Sequence, residues 1–340
     1  MRYAHWLYTP GAGCVFALAL LGAVEAYLHT DGFLYKYRSV FAVGRALDKV
    51  RFVESHVPRI LIVGNSRVDN AFDPTTVQAN LKGVAPGEIF NLGMPGADAR
   101  TLYGILTRLD DEGLLGPKRI ARVVIGLDEA FLQAGDTLGY GVFFADRREL
   151  LKDREYVKLL RSCLRLWGFS DNLKELREPA KLEEFLRATL HDVAPRGGSA
   201  SAHLGYRAGF GGLQNVQQVA MQEAGSKRPP NPRLVHDFWR CLDLLARAKV
   251  QVAIVFPPLL NRDVLYIAPS DPDAGPYREI AARIAAHGIP MMALEPERPR
   301  RISEFVNAGH LNDLGAQLYS RILAKEMGEV WPHLALAGTR

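Results

Sequence analysis

Residues 60–72 read ILIVGNSRVDNAF. Four aliphatic residues, Ile60 to Val63, have the length and composition of a strand buried on both faces. Gly64 then allows a sharp turn, and Asn65, Ser66 and Arg67 follow it. In open parallel sheets, function collects at such strand ends. Ser66 has two readings here. Its hydroxyl is a nucleophile presented at the sheet edge, with helix-start N–H groups available to an oxyanion, or Asn65 or Ser66 simply caps the next helix. On this stretch alone the cap is the commoner reading.

Four further runs of the same kind lie at 88–92, 122–127, 250–256 and 289–294, and helical patterns at 99–109, 235–249, 277–287 and 313–327 alternate with them. Strands alternating with helices predict an α/β domain over 59–330, built on a five-stranded parallel sheet covered on both faces. An insertion at 135–234 separates the third and fourth runs. Within it, 147–169 and 181–192 have amphipathic helical spacing, whereas 195–215 (PRGGSASAHLGYRAGFGGLQN) reads as a mobile loop, functional or disordered.

The amino terminus has a different character. No charge occurs from Pro10 to Val24, Arg2 and His5 precede that run, and Trp6 and Tyr8 sit where interfacial aromatics sit. A spanning length is reached only if the helix passes Glu25, which also spoils a small-residue cleavage site. Residues 1–30 are therefore read as an uncleaved anchor and 31–58, up to Pro58, as a juxtamembrane helix. With the basic end inside, the bulk of the chain lies across the membrane, which in a bacterium is a single pass of the inner membrane with a periplasmic domain.

Composition excludes several function classes. The 340 residues carry 42 Lys and Arg against 37 Asp and Glu, a net charge of +5 with no basic block, so nucleic acid is not an expected partner. Cys14, Cys163 and Cys241 form no C-x-x-C pair, and the nine histidines lack metalloprotease spacing, so no metal cofactor is expected.

Near the carboxyl end, FVNAGHLNDLGAQLYSRIL (305–323) places His310 in a turn, three residues after Asn307 and three before Asp313. A histidine there can reach a hydroxyl at another strand end, although a structural histidine is the commoner case. Four stretches in order, GNSRVDNAFDP (64–74), FNLGMPGADARTLY (90–103), RVVIGLDEAFL (122–132) and FVNAGHLNDLGAQLY (305–319), resemble the SGNH (GDSL-like) hydrolase superfamily. They are most similar to its membrane-anchored cell-envelope branch, related to alginate O-acetylation and D-alanyl transfer proteins. VAIVFPP (252–258) fits the family's penultimate strand, and the insertion matches nothing in it.

The resemblance implies a flavodoxin-like three-layer sandwich in which Ser66 is the nucleophile, His310 the general base and Gly96 an oxyanion donor beside the Ser66 N–H. It further implies an acyltransferase or acylesterase acting on an envelope or exported polysaccharide, without a cofactor, beside a membrane-bound acyltransferase or synthase complex. Two positions depart from the family pattern. Asn307 stands where an aspartate normally orients the histidine, which makes Asp313, Asp128 and Glu304 candidate replacements. Asp128 stands near the oxyanion asparagine, as it tends to in the envelope branch, and leaves that role to backbone donors. Arg67 is expected to brace the loop rather than bind an anionic substrate group. The rival expectation is a non-catalytic assembly or glycan-binding subunit, motivated by Asn307. A plain soluble esterase is disfavoured by the uncharged amino-terminal run.

Overall fold

The computed structural model describes residues 10–133, 139–191, 203–209, 216–222, 227–267 and 274–334. Pro58 follows Val57, which adopts a left-handed conformation and ends the helix Ala42–His56, and the chain then enters the sheet. Its strands are β1 (Ile60–Gly64), β2 (Ile89–Gly93), β3 (Arg122–Gly126), β4 (Gln251–Val255) and β5 (Met291–Met292). They are all parallel, in the order β2-β1-β3-β4-β5. This doubly wound order reverses direction between β1 and β3, where open α/β sheets form their ligand crevice. The sequence expectation of a five-stranded parallel sheet is met.

Strand side chains alternate between two cores. Leu61, Val63, Phe90, Leu92, Val123 and Ile125 join one buried cluster with the helices Ala42–His56, Ala99–Asp111 and Pro232–Arg247. Ile60, Ile62, Ile89, Val124 and Val255 join a second with the helix Asp313–Val330. Because both faces are covered, the strands carry continuous aliphatic runs rather than an alternating pattern. Residues 31–58 form two helices, Asp31–Lys36 and Ala42–His56. The second buries Val43, Ala46, Leu47, Val50 and Val53 against the sheet and so belongs to the α/β layer.

The helix Pro10–Leu28 is the one described helix long and apolar enough to cross a membrane. Its 19 residues rise about 28 Å, close to a hydrocarbon core of about 30 Å. Glu25, which interrupts the apolar run, accepts hydrogen bonds from the backbone N–H groups of Arg165 and Leu166, so its charge is used where the helix meets the insertion. The insertion is helical over Tyr156–Cys163 and Pro179–His191. Of the stretch read as a mobile loop, only 203–209 lies within the described residues. That segment is fastened: Leu204 O accepts from Asn91 N at 2.9 Å, and Arg207 N donates to Asp69 O at 3.0 Å.

Candidate active site

Ser66 opens a single helical turn, Ser66–Asp69, at the carboxyl end of β1. Asn65 is its cap: Asn65 Oδ1 accepts from Arg67 N at 2.9 Å, and its Nδ2 donates to both Asp128 oxygens at 2.9 Å. Capping is thus done by Asn65, and the Ser66 hydroxyl is left for other work. The turn sits tightly on the sheet because small residues end three strands. A Cβ on Gly93 would meet Asp69 N at 2.4 Å, and one on Gly126 would meet Val68 Cγ2 at 2.1 Å. Asn91, inside β2, clamps the turn from below by donating to Val68 O at 2.8 Å and Phe72 O at 2.7 Å while accepting from Gly93 N at 2.8 Å.

Two short antiparallel strands, Phe305–Asn307 and His310–Leu311, bring the carboxyl-terminal block to the same place. Ser66 Oγ lies 2.9 Å from His310 Nε2, and His310 Nδ1 lies 2.9 Å from Asn307 Oδ1. Residues 244 positions apart therefore form one hydrogen-bonded relay. Gly309 N donates to the same Asn307 oxygen at 3.0 Å. A backbone N–H can only donate, so the group facing the imidazole is the asparagine carbonyl. It follows that Nδ1 carries the proton and Nε2 presents its lone pair to the Ser66 hydroxyl.

The candidate replacement acids are committed elsewhere. Asp313 accepts from Tyr206 Oη at 2.5 Å and Gly209 N at 3.0 Å. Glu304 holds Arg298 through two hydrogen bonds of 2.6 and 3.0 Å. Asp128, fully buried, accepts from Asn65 and from Phe131 N at 2.8 Å, and lies 3.0 Å from Arg67 Nη1. Arg67 Nη1 is also 3.6 Å from Glu129, so this guanidinium braces the ends of β1 and β3. Asp128 thereby ties the two strands across the crevice.

One backbone donor belongs to the serine itself. The Ser66 N–H belongs to the first turn of a helix, where no intrahelical acceptor exists. Met94 N donates to Gly64 O at 3.0 Å and Ala97 N to Met94 O at 3.1 Å. The resulting turn has Pro95 at its second position and Gly96, at φ +71°, at its third, a type II arrangement. Gly96 is half-buried on that turn, whose first residue, Met94, is the one bonded to the end of β1.

Burial pushes the His310 imidazole down to about 4, helped by Arg67 and opposed by Asp128, so it is a neutral acceptor at pH 7. Burial and neighbouring Asp128 push Glu129 upward; its Oε1 accepts from Leu265 N at 2.9 Å. Below the turn, Lys49 Nζ reaches Asp69 Oδ1 at 2.7 Å and Gly93 O at 2.5 Å, and burial lowers it to about 8. Sequence reasoning missed Asn91, Lys49 and Asp69. A polar residue inside the run IFNLG was a usable signal for Asn91; the Lys49–Asp69 pair left none. The chain matches no protein-family model and no curated protein.

Proposed function

We propose that this chain is a membrane-anchored, periplasmic SGNH-like acyltransferase or acylesterase that acts on an envelope or exported polysaccharide. The relay from Asn307 through His310 to Ser66, at the carboxyl end of a doubly wound sheet, carries the proposal. His310 Nε2 takes the Ser66 proton as Oγ bonds to the acyl carbon, and the negative charge develops on the carbonyl oxygen. The Ser66 and Gly96 N–H groups stabilise that oxyanion. Collapse breaks the donor's ester C–O bond, and Nε2 returns the proton to the departing alkoxide. A sugar hydroxyl or water then gives its proton to Nε2 and attacks the acyl carbon; the acyl C–Oγ bond breaks, and Nε2 passes the proton to Ser66 Oγ. The apolar amino-terminal helix supports a substrate met at the membrane.

A non-catalytic glycan-binding or assembly subunit is the second reading, and the neutral Asn307 is the observation that favours it. An imidazolium formed beside a carbonyl lacks the charge a carboxylate supplies. Turnover of an aryl acetate by the full chain, compared with Ser66→Ala, separates the two. Loss of turnover in the variant supports the enzyme, and equal rates support the binding subunit.

A further inference from the structure

Exposed leucines and aromatics are unevenly spread over this chain. Among the described residues, the sheet-covering helices Ala42–His56, Ala99–Asp111, Pro232–Arg247 and Gly275–Ala286 expose no large apolar side chain, and Asp313–Val330 exposes Leu314 alone. The insertion behaves differently. Its helix Tyr156–Cys163 turns Tyr156, Val157 and Leu160 outward on one face, and Leu164 continues the row, all at least half exposed. The polar groups lie on the opposite side: Ser162 is buried, Lys158 is held by Glu155 at 3.0 Å and Arg161 by Asp171. That polarity is inverted for a surface helix in water. The helix Pro179–His191 repeats the pattern. Leu182, Leu186 and Leu190 are exposed at four-residue spacing, while Glu184 and Arg187 pair at 2.5 Å and Phe185 stacks on Tyr37 at 4.8 Å.

The first of these faces is fastened to the end of the apolar helix Pro10–Leu28. Glu25 accepts from Leu166 N at 2.9 Å, the His29 ring lies 3.1 Å from Cys163 O, and the turn Arg165–Gly168 packs on that helix. Trp167 in this turn and Tyr27 in the last turn of the apolar helix are both exposed. Tryptophan and tyrosine are the side chains that settle at headgroup depth. A span that ends at Leu28 brings whatever is fastened to Glu25 and His29 to the membrane surface.

Resting on the reading of Pro10–Leu28 as a membrane span, we infer that the outward face of Tyr156–Cys163 lies in the lipid interface of the leaflet where the span ends. Its apolar row is buried there at a place the fold already holds against the membrane. The contact is a second point of attachment, and its consequence is orientation. Arg45 and Lys49, in the first half of Ala42–His56, reach Asp69 just beyond the carboxyl end of β1, whereas the His56 end leads back to the start of β1. The chain therefore arrives from the membrane at the end of the sheet that carries Ser66, and a domain held at two points keeps that end towards the lipid.

The test is photocrosslinking of the full chain in phosphatidylethanolamine and phosphatidylglycerol nanodiscs, with benzoylphenylalanine placed singly at Val157, Leu160, Leu18 or Met291. Leu18 reports the span, and Met291, exposed at the amino end of β5, reports the far end of the sheet. Lipid adducts are expected at Val157, Leu160 and Leu18, and none at Met291. Leu160→Glu combined with Leu164→Glu should abolish the adducts at Val157 and leave those at Leu18, with circular dichroism checking the fold. Adducts at Leu18 without any at Val157 or Leu160 overturn the interfacial face and leave the span. Adducts at Leu160 without any at Leu18 defeat the span and leave the face. Val157 adducts that persist in the folded double variant, or an equal yield at Met291, overturn the inference. Protein adducts in place of lipid adducts at Leu160, in membranes of the expressing cell, would mark a protein-docking face and overturn it as well.

Discussion

Gly309 N and His310 Nδ1 converge on one oxygen, Asn307 Oδ1, at 3.0 and 2.9 Å. That geometry bears on the usual objection to asparagine in a serine–histidine relay. In a serine protease, replacing the aspartate by asparagine costs about 10⁴ in kcat because the imidazole takes the wrong tautomer. Here the Gly309 N–H holds the carbonyl toward the ring, and the useful tautomer is imposed. What remains absent is the negative charge. Asn307→Asp should therefore raise aryl acetate turnover by about tenfold, and Asn307→Ala should lower it by about 10²-fold. Initial rates of the three proteins check this.

The pH dependence follows from His310, held at about 4. Neutral imidazole is the active form, so activity should rise with pH through about 4 and be level by 6, and Asn307→Asp should move that limb upward. The stability sign is the same. Between the folded value and an unfolded value of about 6.5, the unfolded chain binds more protons, so stability falls as pH drops from about 6.5 towards 4. His310→Gln should flatten that part of the curve, as read by denaturant midpoints against pH.

Asp128 holds Asn65, the Phe131 N–H and Arg67 in a buried cluster. Asp128→Ala leaves Arg67 buried with its nearest countercharge removed and should destabilise the fold by about 3–5 kcal/mol. Asp128→Asn should cost less, since hydrogen bonding survives in part. Chemical denaturation of both variants checks the order.

Gly93 touches the turn Ser66–Asp69 from a neighbouring strand. Gly93→Ala would place a methyl 2.4 Å from Asp69 N, a backbone atom that cannot swing aside. The variant should lose about 1–3 kcal/mol of stability and more than tenfold in aryl acetate kcat as Ser66 shifts from His310. Thermal denaturation and kinetics separate the two effects.

The sheet was legible because strands buried on both faces carry uninterrupted aliphatic residues, as Ile60–Val63 and Val123–Ile125 do. Ser66 and His310 were legible as candidates because a polar turn after such a strand and a histidine in a turn are local features. Asp128 was not readable as a brace, because its partners Asn65 and Arg67 lie 63 and 61 positions away and only the β1–β3 crevice joins them. The tautomer set by Gly309 was equally hidden: spacing places Asn307 near the imidazole but does not say which end of its amide faces the ring.

The central claim is that Ser66 becomes acylated, and intact-protein mass spectrometry after brief exposure to 4-nitrophenyl acetate tests it most directly. Proteolysis should place one acetyl group on the peptide containing Ser66, with none on that peptide in Ser66→Ala and slower accumulation in His310→Gln. An unmodified Ser66 peptide, or acetylation that persists in Ser66→Ala, would contradict it.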